Sequence, residues 1–417
     1  MATIIFRNAR VVSPSHVPGK DVKIPRRGEL ANALAITPSA DVTVKDGLIE
    51  SIKPIKPDTR PRKPAPGATE IDANGRVLMP GFVDCHTHAC WAGSRIDEWD
   101  LKRRGVSYLD ILKRGGGIMA TVRAVRAASE QQLTDLLLER LDLMLRYGTT
   151  TVEVKSGYGL TTADELKMLH AIARAAAHWP GTIRPTALLG HAIDEEQPGF
   201  VGLTVRQTLP AVAAEFPPAS GLSIDAYCER AAWSLEQCVL LFGRAHELGY
   251  PIRVHADQFN SFGMVPAAVR MDAVSVDHLE VTNDADLDLL AKSQTYGVML
   301  PAAPYHLGGP QGKARKFVQD GGALCLATNY NPGSAPCGSM PEVVSLAVRA
   351  MHISPAEAIT ATTINPALLL NLPDRGVVEV GKRADLLLLR HTDERGLAFE
   401  FGTSPIAHVM CNGKLVV

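Results

Sequence analysis

Val77-Leu78-Met79-Pro80-Gly81-Phe82-Val83-Asp84-Cys85-His86-Thr87-His88 decides the fold of this chain. An apolar run ends on two histidines spaced i and i+2, and in a strand such residues point to one face. The pair converges on one point where the strand stops. Two neutral imidazoles aimed at one point suit a divalent transition metal such as Zn²⁺. Two ordinary histidines are the bland reading of a bare His-x-His. The Pro-Gly turn and the histidines further along favour metal.

Seven more runs with the short, β-branched look of buried parallel strands follow: Thr149–Val154, Ile183–Leu189, Ser223–Tyr227, Ile252–Val254, Ala273–Val276, Tyr296–Leu300 and Ala323–Ala327. Segments of helical periodicity fall between them, among them Glu130–Tyr147, Ala163–Ala177, Leu235–Leu248 and Ala285–Ala291. Eight β/α units predict an α/β protein with a closed (β/α)₈, TIM-like barrel over residues 77–375. Residues 1–76 read as short strands, with Lys45-Asp46-Gly47 turning a hairpin between Val42-Thr43-Val44 and Leu48–Ile52. Ser13 to about Ala40 reads as a loop or insertion. Residues 376–417 again hold strands, at Ala384–Leu389 and His408–Val417, so both termini are expected to build one small β-sandwich.

Chemistry in such barrels sits at the C-terminal strand ends. Those ends carry His86 and His88, Lys155 and Tyr158, His191, Glu229, His255, His278, and Asn329 with Asn331. Five of the thirteen histidines at one rim are hard to explain as packing.

The chain has 417 residues, a formal charge of −1 and a pI near 6.9, so no field draws it to nucleic acid or an anionic membrane. No apolar stretch approaches the roughly 18 residues that span a bilayer. The first ten residues lack the basic-then-apolar order of a secretory signal. Seven cysteines without a C-x-x-C fit reduced thiols, and a cytoplasmic location is expected. Gly115-Gly116-Gly117 lacks the Lys-Ser/Thr of a P-loop and reads as a flexible active-site loop. No G-x-S-x-G elbow competes for the nucleophile.

With these residues in view, the chain resembles the amidohydrolase superfamily of metal-dependent hydrolases. Within it, the chain is most similar to the imidazolonepropionases. The likeness runs end to end through Pro80–His88, Gly115–Ile118, Val154-Lys155-Ser156-Gly157-Tyr158-Gly159, Leu189-Gly190-His191-Ala192, Val254–Gln258, Asp277-His278-Leu279-Glu280 and Asn331-Pro332-Gly333-Ser334. The Lys-Ser-Gly-Tyr-Gly and Asn-Pro-Gly-Ser segments are its most specific parts. The resemblance implies hydrolysis of 4-imidazolone-5-propanoate to N-formimidoyl-L-glutamate, in histidine degradation, with one divalent ion, Zn or Fe. It also implies a homodimer. His86, His88 and His255 would be metal ligands, with Asn329 the fourth. Arg95 would grip the substrate's propionate, for which a guanidinium is well suited. Tyr158, His191 and Gln258 would contact the ring, and Asn331, Gly333 and Ser334 the rest of the substrate. Candidate catalytic positions are His278, Gln258 and Asn329.

A bound metal lowers the pKa of water to about 7, and a general base or acid must carry a proton to the leaving ring nitrogen. His278, placed after the sixth strand, can reach the water or the oxyanion. One residue departs from the pattern: the family usually carries Asp where this chain has Asn329. Asn offers only a neutral carbonyl oxygen and cannot act as a base. Either His278 carries proton transfer alone, or the chain is weakly active, altered in substrate, or an engineered variant. A deaminase of the same superfamily is the competing activity, but it uses His-x-x-Glu where this chain has Gln258. A catalytically dead barrel kept for binding or regulation is the third reading.

Overall fold

The computed structural model describes residues 3–15, 24–56, 65–106, 110 and 115–417. Near the N-terminus, β1 (Thr3–Pro14) pairs antiparallel with β2 (Leu34–Lys45), which turns through Asp46 and Gly47 into β3 (Leu48–Pro54). The hairpin forms as expected, but both ends of the stretch read as a loop from Ser13 to Ala40 are strand. Pro14 pairs with Leu34 and Ser13 with Ala35, so the chain returns along its own strand. Residues 16–23 of that stretch lie outside the described residues. Next, β4 (Ala68–Asp72) and β5 (Val77–Pro80) pair parallel with β1.

The deciding run is two strands, not one. Val77–Pro80 belongs to the terminal sheet, and β6 (Phe82–Asp84) opens the barrel. They part at Gly81, where a Cβ would lie 2.3 Å from Thr150 Oγ1. Periodicity alone could not see this break, because both halves are buried and apolar.

The barrel sheet continues in chain order through β7 (Thr149–Lys155), β8 (Thr182–Gly190), β9 (Ser223–Cys228), β10 (Ile252–Ala256), β11 (Ser275–His278), β12 (Tyr296–Met299) and β13 (Leu324–Leu326), all parallel. All eight expected strands form. The first and last are joined beyond their ends: Asn329 N donates to His86 O and His88 N to Tyr330 O, each at 3.0 Å. Thr328 Oγ1 also donates to Asp84 Oδ2 at 2.5 Å.

Helices cover the outside. Glu130–Arg146 starts on a capping box between Ser129 and Gln132 and buries Leu133, Leu137, Leu141 and Met144, one stripe of its surface. These residues share one core with Val152 and Val154 of β7, Ile224 and Ala226 of β9, and Ile252 and Val254 of β10. Alternate strand residues therefore face the helices, and those between them face the barrel interior.

After the barrel, β14 (Leu386–Leu389), β15 (Ile406–Cys411) and β16 (Lys414–Leu415) join the terminal sheet through β5. That mixed sheet folds over a core of its own, in which Phe6, Val42 and Ile49 pack with Leu78, Leu386 and Met410. Among the described residues, no helix is long and apolar enough to cross a membrane.

Candidate metal centre and substrate rim

Polar alternation inside the barrel builds the floor of the site. Glu153 and Lys155 of β7, Asp225 of β9, Arg253 and His255 of β10, and Asp277 of β11 are all buried. Each alternates with an apolar residue that faces the helices. Lys155 Nζ bridges Glu153 Oε1 at 2.8 Å and Asp225 Oδ2 at 2.9 Å, while Arg253 Nη2 holds Asp277 Oδ2 at 2.8 Å. Burying five charged side chains is costly unless they are paired and hydrogen-bonded, as these are.

The carboxylates reach upward to histidines. Asp277 Oδ2 lies 2.6 Å from His86 Nδ1, and Asp225 Oδ1 lies 3.1 Å from His255 Nδ1. Each bond places a proton on Nδ1 and leaves the Nε2 lone pair for a ligand, the usual carboxylate–histidine–metal arrangement. His86 and His88 sit beyond the end of β6, in an extended segment clamped by Lys155 N on Thr87 O and by the bonds to residues 329 and 330. The i, i+2 convergence therefore holds outside the strand itself.

His86, His88 and His255 offer ring nitrogens that all lie within 4.8 Å of one another. His255 Nε2 and His88 Nε2 are 3.2 Å apart. Two nitrogens bound to one tetrahedral zinc at about 2.0–2.1 Å would be separated by about 3.3 Å. His86 Nε2 is buried with no hydrogen-bond partner among the described residues, as is Asn329 Oδ1. Burial lowers all three histidines: His86 and His88 fall well below the usual range, and His255 falls to about 3 despite Asp225. They are neutral imidazoles at physiological pH, as metal ligation requires. This donor set fits a divalent cation.

Around the cluster stand the other expected residues. The His278 ring centroid is 5.5 Å from that of His255 and 5.7 Å from that of His86. Its Nδ1 lies 3.0 Å from Glu280 Oε1, and its backbone is strained at φ 87, followed by Leu279 at φ 70. His191 stacks on His88 at 5.0 Å, and its Nδ1 pairs with Gly157 O at 2.9 Å. Burial brings His191 down to about 4. Tyr158 packs 4.9 Å from His191 in a turn whose Gly157, Gly159 and Leu160 amides all donate to the buried Glu165. Gln258 Oε1 accepts from Tyr227 OH at 2.7 Å.

Several expected residues are occupied by structural bonds. Asn331 Oδ1 accepts from Gly333 N and Ser334 N, while its Nδ2 donates to Asn329 O and Ser334 Oγ, so its side chain shapes the last loop. Glu229 accepts from Phe259 N, Asn260 N and Asn260 Nδ2, which holds the loop after β10. Arg95 lines a pocket with Trp91, Trp99, Arg140 and His306. It is forked onto Glu98, and a Cβ on Gly333 would lie 2.5 Å from its Nη1.

Asp225, Arg253, Asp277, Glu280 and Glu98 are residues to which sequence reasoning assigns no role. The signal for the floor was present in Glu153-Val154-Lys155, Ile224-Asp225-Ala226, Ile252-Arg253-Val254-His255 and Val276-Asp277: a period of two with charge on one face.

Comparison with known proteins shows the family and the fold. A family model described as "Amidohydrolase family" matches residues 77–416. The imidazolonepropionase of Herpetosiphon aurantiacus is 45% identical over 356 residues, 83% of each chain. That of Symbiobacterium thermophilum is 39% identical over 399 residues, covering 94% of this chain and 93% of its own. Among solved structures, 5-methylcytosine deaminase from Klebsiella pneumoniae superposes with a TM-score of 0.71 at 17% identity, covering 100% of this chain and 97% of that one. Guanine deaminase from E. coli gives 0.68 at 17%, over 100% of this chain and 99% of its own. At that identity the two deaminases speak for the fold alone. By sequence over nearly its full length, this chain belongs to the imidazolonepropionase family of the amidohydrolases.

Proposed function

We propose that the chain hydrolyses a ring C–N bond of 4-imidazolone-5-propanoate, giving N-formimidoyl-L-glutamate in histidine degradation. The observation that carries this reading is the 45% identity to a curated imidazolonepropionase over 83% of both chains. His86, His88 and His255 would hold one divalent ion, Zn or Fe, with Asn329 Oδ1 as a fourth, neutral donor. When bound, that ion supplies a Lewis acid for the ring carbonyl and lowers the pKa of water.

The chain's own residues account for the rest. Arg95 receives the propionate, and Tyr158, His191 and Gln258 frame the ring. Water adds to the ring carbonyl carbon, and the bond from that carbon to the ring nitrogen breaks. His278, oriented by Glu280, takes the water proton and delivers it to the leaving nitrogen. Asn329 cannot share this task, having no titratable proton. Gln258 likewise cannot serve as the proton shuttle a deaminase needs, which disfavours that activity. All seven cysteines are free thiols, which supports a reducing, cytoplasmic setting.

Incubation of the purified full-length protein with 4-imidazolone-5-propanoate tests the reading. Formation of N-formimidoyl-L-glutamate is expected. Release of ammonia from a ring amine substrate, with no turnover of the imidazolone, would replace it with the deaminase.

A further inference from the structure

Glu98 is buried at the mouth of the site, where its carboxylate accepts four hydrogen bonds. Oε1 accepts from Arg95 Nη2 at 2.6 Å and pairs with Lys102 Nζ at 2.8 Å. Oε2 accepts from Arg95 Nε at 2.9 Å and from the Gly117 amide at 2.9 Å. Burial would raise this carboxyl, but the bonds from Arg95 and Lys102 outweigh it and hold it at about 2. It is ionised at any working pH.

We propose that Glu98 is a positioning residue for substrate: it fixes the Arg95 guanidinium in one orientation and ties it to the glycine segment before the helix Ile118–Ala127. The inference rests on the reading above that Arg95 receives the substrate's carboxylate. A planar guanidinium forked onto a carboxylate cannot rotate without losing both bonds. The Nε–Nη2 edge faces Glu98, so the Nη1 side is the one presented toward Gly333, whose missing Cβ leaves the room. A carboxylate beside a carboxylate receptor would normally oppose binding. Lys102 offsets it, since Arg95, Lys102 and Glu98 together carry a net charge of +1. The glycine segment is therefore coupled to the binding arginine through one side chain, and Glu98 acts on substrate only through Arg95.

Steady-state kinetics of Glu98→Ala, Glu98→Asp, Arg95→Ala and the Arg95→Ala/Glu98→Ala double variant test this, each on the propionate substrate and on the same imidazolone ring without its carboxylate. Thermal unfolding midpoints are recorded alongside. Glu98→Ala is expected to raise KM for the acid by about tenfold while kcat changes little, since the contact is made equally in ground and transition states. The loss should be confined to the acid, and Glu98→Asp should recover part of it. On the Arg95→Ala background, removing Glu98 should cost nothing further. A fall in kcat at unchanged KM, or losses that multiply in the double variant, would overturn the inference. So would an unchanged KM in Glu98→Ala when Arg95→Ala raises it. An unchanged KM in Arg95→Ala would instead overturn the assignment of Arg95, and the role of Glu98 with it.

Discussion

The floor and the rim of the site are built in different ways. On the floor, the bonds that orient the histidines and bridge the strands join distant parts of the chain: His86 to Asp277, His255 to Asp225, and Lys155 to Asp225. Strand register sets these contacts, and the groups are fully buried. On the rim, His191 and Gln258 also reach across to Gly157 and Tyr227. Many of the rim bonds, however, are local: Arg95 to Glu98 within one helical turn, Asn331 to the loop that contains it, and Glu165 to the turn just before it. Turn chemistry sets these contacts, next to a pocket open to solvent. The difference teaches what a substitution in each region should report. Floor changes should act on folding and metal affinity, rim changes on KM.

The largest effect is expected from Lys155→Met. It removes the cation that bridges Glu153 and Asp225 and leaves Arg253 Nη1, 3.4 Å from Glu153, as the remaining ion-pair partner. Breaking such a buried pair costs on the order of 3–5 kcal/mol. Denaturant unfolding should show a clear drop in midpoint together with weaker metal retention; an unchanged midpoint would break the distinction between floor and rim. Next comes Arg95→Ala, which should lower kcat/KM by about two orders of magnitude, mostly through KM, with the unfolding midpoint near that of the parent. A large loss of stability there would place Arg95 with the floor.

Asn329→Asp sits between the two regions. An anionic ligand should tighten the metal, and a second base beside His278 should raise kcat by about tenfold, below the roughly 10²–10⁴ that a sole general base supplies. A flat kcat would assign proton transfer to His278 alone. The smallest effect is expected from Gly333→Ala, whose Cβ would meet Arg95 Nη1 at 2.5 Å. That tip can shift, so KM should rise only a few-fold, read against the acid and the carboxylate-free ring.

Much of this was legible in the sequence. The eight strands, the terminal hairpin and the five rim histidines stood out because apolar runs and strand-end polar residues are local signals. The break at Gly81 was marked only by the Pro-Gly turn, because a continuous apolar run has no period that marks where a chain leaves one sheet for another. The return of β2 along β1 was hidden by prolines and mixed charge, where pairing overrides propensity. Asp225 and Arg253 sit inside runs that read as apolar, and Asp277 just past the end of one, though their alternation with Ile224, Val254 and Val276 gives their direction. Asn331 and Glu229 stood out as polar groups at strand ends, yet loop backbone takes up much of their bonding capacity, which no spacing in the chain reveals.

The most direct test of the account is metal-dependent turnover of 4-imidazolone-5-propanoate. Full-length protein is stripped with chelator and titrated with Zn²⁺ or Fe²⁺, alongside His255→Ala, while bound metal and N-formimidoyl-L-glutamate are both measured. Three buried, neutral imidazoles converging on one point predict activity that rises with added metal and saturates at one equivalent per chain, with His255→Ala losing both metal and product. Full turnover by the stripped protein, or a His255→Ala variant that keeps its metal and its activity, would contradict it.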